Sequence, residues 1–162
     1  MVFLPGGHCM NSDPEKRLQE GSDSESLEAT TPEYSEKVLD RCFNPRNWGM
    51  IGNPQGFGKG SRICGDGMEL TLRITNGKIH DAKFFTEGCG PMLAAGSMVT
   101  ELVIGKTILE AFKITPEVIN EALDGLPKES EHCADTAAEA LKEALLNYLA
   151  FKKEPWKRAY KK

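Results

Sequence analysis

Met68, Leu70, Leu72 and Ile74 alternate with Glu69, Thr71, Arg73 and Thr75. A period of two puts the apolar set on one face of a half-buried strand. Asn76-Gly77 follows, a dipeptide suited to the two consecutive positive-φ positions of a tight hairpin turn. A second strand is predicted from about Lys78 to Thr86, and its alternation breaks near Asp81, which predicts a bulge. A third, weaker strand is expected around Gly60 to Cys64.

Helical spacing governs most of the rest. Tyr34, Val38 and Cys42 recur every four residues, so Tyr34 to Phe43 reads as a short amphipathic helix. Asn44-Pro45-Arg46-Asn47 stops it, because the residue before a proline avoids the helical region. Residues 48–62 hold five glycines and one proline and read as a flexible loop. Further helices are predicted over Pro91 to Ile104, Ile108 to Phe112, Pro116 to Leu123 and Ala134 to Phe151. The longest carries Ala137, Leu141, Leu145 and Tyr148 on one stripe. Strands first and helices after predict an α+β domain: a small antiparallel three-stranded sheet with helices packed on one face.

Both ends differ in composition. Between Asp13 and Glu33 there are seven acidic and two basic residues, so 1–32 reads as a flexible acidic tail, with His8-Cys9 inert inside it. Lys152 to Lys162 carries six basic residues and one acidic, with Trp156 and Tyr160 interleaved, and reads as a basic tail. The domain proper is then 33–151. A net charge of −4 over 162 residues speaks against a nucleic-acid partner. No apolar run reaches the ~20 residues that span a bilayer, and the start lacks the pattern of a secretory signal. Five cysteines, an odd number, fit a reducing cytoplasmic setting, where thiols serve metal or redox chemistry.

Two glycine motifs mimic phosphate loops. Gly105-Lys106-Thr107 lacks the glycine five positions upstream, where Thr100 stands, and reads as a helix end followed by a Thr107-x-x-Glu110 capping box. Gly56-Phe57-Gly58-Lys59-Gly60 precedes no helix start, so it reads as a mobile loop whose glycines let the following segment swing.

Three thiols stand out because none sits on an apolar stripe. Cys64 lies in Cys64-Gly65-Asp66, Cys89 between a strand and a helix, and Cys133 after His132 at the start of the long helix. Unpaired amides and the helix dipole favour thiolate at the two helix starts. With His132 and Asp66 the three make a donor set for a thiophilic metal: zinc, copper(I) or iron–sulfur. Unrelated buried thiols are the competing reading. Cys42 falls on an apolar stripe and reads as core; His80 reads as a solvent-facing strand residue.

In order and spacing the chain resembles the NifU/IscU-type iron–sulfur cluster assembly scaffolds. The resemblance rests on Tyr34-Ser35, Val38-Leu39-Asp40, Asn44-Pro45-Arg46-Asn47-x-Gly49, Cys64-Gly65-Asp66-x-Met68, Asp81-Ala82-x-Phe84-x-Thr86-x-Gly88-Cys89-Gly90, Ser97-Met98-x-Thr100-Glu101, Gly105-Lys106-Thr107, Leu126-Pro127 and His132-Cys133-Ala134. It covers about residues 34–150 and implies a SufE/NifU-like fold. It implies a scaffold, not an enzyme, that accepts persulfide sulfur from a cysteine desulfurase and ferrous iron, builds a transient 2Fe–2S cluster and passes it to apo iron–sulfur proteins. The implied ligands are Cys64, Asp66, Cys89, His132 and Cys133, with Cys133 the candidate first sulfur acceptor, Cys64 its rival, and zinc able to fill the site in the isolated protein. The chain departs from the family in four places. Lys128-Glu129-Ser130-Glu131 replaces the stretch a dedicated chaperone reads, so that partner is not expected. Arg41 and Cys42 replace a histidine and an aromatic. No long insertion between Cys89 and His132 marks the zinc-dependent SufU branch, and no second cysteine-rich module follows. A zinc-dependent sulfur relay and a structural or regulatory zinc protein are the alternative functions.

Overall fold

The computed structural model describes residues 33–61 and 67–156. The expected acidic tail, Cys64 and Asp66, and the basic stretch after Trp156 lie outside the described residues. In chain order the elements are α1 (Glu36–Phe43), β1 (Gly56–Ser61), β2 (Gly67–Thr75), β3 (Lys78–Thr86), α2 (Gly90–Val103), α3 (Ile108–Ala111), α4 (Pro116–Ala122) and α5 (Glu131–Lys153). A 3-10 turn at Lys128–Ser130 leads into α5.

The strands form one antiparallel sheet in the order β1-β2-β3. Thr75 pairs with Lys78 across the two-residue turn, whose Asn76 and Gly77 have φ of 53° and 78°. Arg73 pairs with Asp81 and Ile74 with Ile79, which leaves His80 as the extra, exposed residue of the bulge. Met68, Leu70, Leu72, Ile79, Ala82 and Phe84 are fully buried beneath α2 and α5. Helix α2 is apolar nearly all round, buried from Gly90 to Thr100, so it runs through the centre of the molecule. Gly96 brings it onto Phe84: a Cβ there would lie 2.8 Å from the ring Cγ.

The glycine-rich segment corrects the sequence reading. Residues 56–60 are strand and not a mobile loop; the third strand, Gly56–Ser61, begins four residues before the expected start at Gly60, and 62–64 of the expected span lie outside the described residues. Gly56, Gly58 and Gly60 share the inward face, where helix backbone replaces side chains. A Cβ on Gly56 would lie 2.7 Å from the Ala144 carbonyl oxygen. One on Gly58 would overlap Ala140 O and Ala144 N, and one on Gly60 would overlap Thr136 O. Absent side chains are what let α5 lie against the sheet.

Residues 47–55 are likewise tied down. Asn47 O and the Gly49 amide bond the Phe84 backbone at 3.1 and 2.7 Å. The Ile51 amide donates to Thr71 Oγ1 at 3.2 Å and the Gln55 amide to Leu72 O at 2.9 Å. Ile51 is buried on the side opposite Leu70 and Leu72, so this strap covers the sheet's second face. The capping reading holds at α3, where Thr107 and Glu110 form a reciprocal capping box after Gly105 (φ 87°).

Candidate functional site

Strand β3 ends at Thr86, and three residues later Cys89 is the N-cap of α2, in extended backbone with Pro91 in the first turn. No side-chain hydrogen bond caps this helix end, and Cys89 at the cap is half-buried. Helix α5 opens Glu131-His132-Cys133 after its N-cap Ser130. Cys133 is fully buried, with Sγ 3.7 Å from His132 Nε2. The Thr136 hydroxyl donates to His132 O at 2.9 Å, and Ser130 Oγ lies 3.3 Å from Tyr34 OH.

Topology brings these positions to one end of the sheet. Ser61 pairs with Gly67, so the chain leaves β1 and enters β2 at the end where β3 stops. Gly60, last of the inward glycines, meets Thr136, one turn beyond Cys133. The start of α5, the start of α2, the end of β1 and the start of β2 therefore share that end. Among the described residues no three His, Cys, Asp or Glu side chains gather as a metal site. The described part of the expected set is Cys89 with the His132-Cys133 pair.

Cys42 belongs to the core and His80 is exposed, as expected for both. The two family departures on α1 have structural employment. Arg41 forms a two-point bond to Glu101, Nε to Oε1 at 3.0 Å and Nη2 to Oε2 at 2.9 Å. Arg46 bridges Glu101 and Asp40, its amide bonds Ser97 Oγ at 2.9 Å, and Asn47 bonds Thr100. Burial pushes the Glu101 carboxyl up, but the Arg41 hydrogen bond and the charges of Arg41 and Arg46 outweigh it and hold it below the usual range. Asp40 beside Arg46 raises that guanidinium further. These groups fasten α1 and the Asn44–Asn47 turn to α2. Spacing along one element could not have shown a network that joins residues some 55 to 60 positions apart.

Comparison with known proteins follows the same outline. The NifU-like N terminal domain family matches residues 33–155. An iron-sulfur cluster assembly scaffold protein, IscU 1, from Archaeoglobus fulgidus is 47% identical over 116 residues, 71% of this chain and 76% of its own length. The IscU scaffold protein of Escherichia coli K12 is 42% identical over 120 residues, 71% of this chain and 93% of that one. A crystal structure from Fervidobacterium islandicum, assigned to iron–sulfur cluster assembly for the SUF system, superposes with a TM-score of 0.60 at 26% identity. It covers 69% of this chain and 96% of that one. The N-terminal part of a NifU-like protein from Brucella abortus gives 0.59 at 15% identity over 72% and 94%, which speaks for the fold alone. No helix among the described residues is long and apolar enough to cross a membrane.

Proposed function

Because the chain belongs to the NifU-like N terminal domain family, we propose that it works as its scaffold relatives are named to work. It is an iron–sulfur cluster assembly scaffold protein. The observation that carries this reading is the 42–47% identity to IscU scaffolds over 71% of the chain. The convergence of Cys89 and His132-Cys133 on one sheet end supports it.

In the finer reading the cargo is a 2Fe–2S cluster built from ferrous iron, and Cys64, Asp66, Cys89, His132 and Cys133 supply its ligands. The sulfur donor is a cysteine desulfurase. The thiolate of Cys133 attacks the outer sulfur of the donor's persulfide, the donor's S–S bond breaks, and the donor thiolate leaves. Reduction of that sulfur to sulfide takes two electrons from a separate reductant, such as a dithiol. The protein is then a carrier without turnover chemistry of its own, and apo iron–sulfur proteins are its recipients. Mixed oxygen, nitrogen and thiolate donors hold a cluster less firmly than thiolates alone, which suits cargo that must leave.

Anaerobic reconstitution tests this. Zinc-free protein is mixed with ferrous iron, cysteine, a cysteine desulfurase and a dithiol. Visible charge-transfer bands with equal iron and sulfide, lost in Cys64→Ser, Cys89→Ser and Cys133→Ser, are the expected result. A colourless protein that carries persulfide would overturn it in favour of a zinc sulfur relay. Uptake of neither would leave a structural zinc protein.

A further inference from the structure

Thr86 stands where two ligand-bearing stretches of chain meet, and its side chain joins them. The hydroxyl donates to Gly67 O at 2.6 Å and accepts from the Gly88 amide at 3.0 Å. Gly67 directly follows Asp66, and Gly88 directly precedes Cys89. One buried hydroxyl, on a residue only 4% exposed, thus uses both its donor and an acceptor position on backbone that flanks candidate ligands. The ladder itself makes no such link, because Met68 and Thr86 are its last pair and the chain turns away after them. Gly88 is packed for the purpose. A Cβ there would lie 3.2 Å from Thr86 Oγ1 and 3.1 Å from Met92 Cγ, so the turn is seated between the hydroxyl and α2.

We propose that Thr86 is a positioning residue for metal and cluster binding, its hydroxyl fixing the Gly88-Cys89 turn against the entry to β2. The inference rests on the reading of Cys89 as a ligand. Outer partners of this kind orient ligands without touching the metal, and their loss typically weakens metal binding about 10- to 100-fold. The geometry gives the hydroxyl and the methyl of threonine different duties. Valine keeps the shape and removes both hydrogen bonds; serine keeps both bonds and removes the methyl.

Cobalt(II) is the probe, because its d–d bands report coordination geometry and its near-ultraviolet bands report thiolate ligation. Titrations compare wild type, Thr86→Val, Thr86→Ser and Cys89→Ser, each at a temperature where it is folded. Thr86→Val is expected to bind cobalt roughly 10-fold more weakly with altered d–d intensity. Thr86→Ser is expected to stay close to wild type. A residue that only stabilised the fold would lower the melting temperature and leave the cobalt affinity and spectrum of the folded protein alone. Wild-type binding in Thr86→Val, or equal loss in the serine variant, overturns the inference while Cys89→Ser still shows the site to be real. Cobalt binding indifferent to Cys89→Ser overturns the ligand reading and the inference with it. If the valine variant does not fold, Thr86→Ala removes the hydroxyl together with the methyl, the serine variant controls for the methyl, and wild-type affinity in the alanine variant is equally fatal.

Discussion

Replacing Gly58 with alanine adds one carbon to β1, and that carbon has nowhere to go. It would overlap Ala140 O and Ala144 N and lie 2.9 Å from Ala144 Cα. All three neighbours are backbone of α5, so no side chain can swing aside. Strand and helix must part by roughly 1 Å, and a gap of that size forfeits about a quarter to a half of each dispersion contact across it. Overpacking costs about 1–3 kcal/mol, and rigid backbone on both sides puts this case at the upper end. Alanine also stiffens the unfolded chain, which returns about 0.4–1 kcal/mol. The net expectation is a loss of about 2 kcal/mol, a large share of a total near 5–15 kcal/mol. Urea denaturation of Gly58→Ala beside Gly52→Ala reads it, because a Cβ on Gly52 meets nothing within 4 Å. The control should lie within about 0.5 kcal/mol of wild type. Gly60→Ala should be nearly as harmful as Gly58→Ala, and Gly56→Ala milder, since its nearest neighbour is a single oxygen at 2.7 Å. Equal stability of Gly58→Ala and Gly52→Ala would refute the claim that glycines let α5 reach the sheet.

Glu101→Gln should destabilise at neutral pH, with a penalty that shrinks in acid. The carboxyl is held below its ordinary value of 4.5, so its contribution is fully present above that value and fades as pH falls through the lower, folded one. Urea midpoints at neutral pH and in steps below pH 4.5 read the closing gap, and a constant gap would count against the Arg41 pairing. Thr107→Ala removes the hydroxyl half of the α3 capping box, leaving the residue 107 amide on Glu110 Oε2, and should cost about 1 kcal/mol in the same assay, with faster amide exchange at Glu110. Asp66→Ala should slow transfer of a reconstituted cluster to an apo-ferredoxin followed by circular dichroism, and unchanged transfer kinetics would remove Asp66 from the exchange step.

The elements set by alternation were legible in the sequence: Met68 to Ile74, the Asn76-Gly77 turn and the bulge beside Asp81 all stand where period and turn chemistry put them. Helix starts at Cys89 and Thr107 were readable too, because caps are local. β1 was not. Its inward residues are glycines, which show no apolar alternation and register only against a helix about 80 residues away. The strap over residues 47–55 was missed for the same reason, since its order comes from Phe84, Thr71 and Leu72. At the candidate site, residue types singled out Cys89 and the His132-Cys133 pair as candidate donors, yet the bonds of the Thr86 hydroxyl needed the register of β2 against β3. Arg41 and Cys42, odd as family departures, became ordinary once Glu101 and the core stood beside them.

Burial sets a condition on how Cys133 could receive sulfur. Attack on a persulfide needs an open line from the thiolate to the outer sulfur, and Cys133 has no exposed surface whereas Cys89 is half-exposed. The helix start favours the thiolate while burial opposes it. Sulfur acceptance at Cys133 therefore requires the first turn of α5 to open. Contacts that resist include Tyr34 OH with Ser130 Oγ, the Ser130 amide on Pro127 O at 2.8 Å, Thr136 Oγ1 on His132 O, and the packing of buried Cys133 and Ala134 in the core. Local openings of this kind lie well below global unfolding, and one of about 2–3 kcal/mol would slow a thiol reagent roughly 30- to 150-fold. Pulsed iodoacetamide labelling with peptide mass spectrometry should therefore mark Cys89 long before Cys133. Tyr34→Phe should narrow the difference, and a bound desulfurase should erase it as persulfide accumulates on Cys133. Labelling of Cys133 as fast as Cys89 in the isolated protein would refute the closed first turn. Persulfide found on Cys64 alone after turnover would move the acceptor to the β1–β2 connection and leave Cys133 as a ligand only.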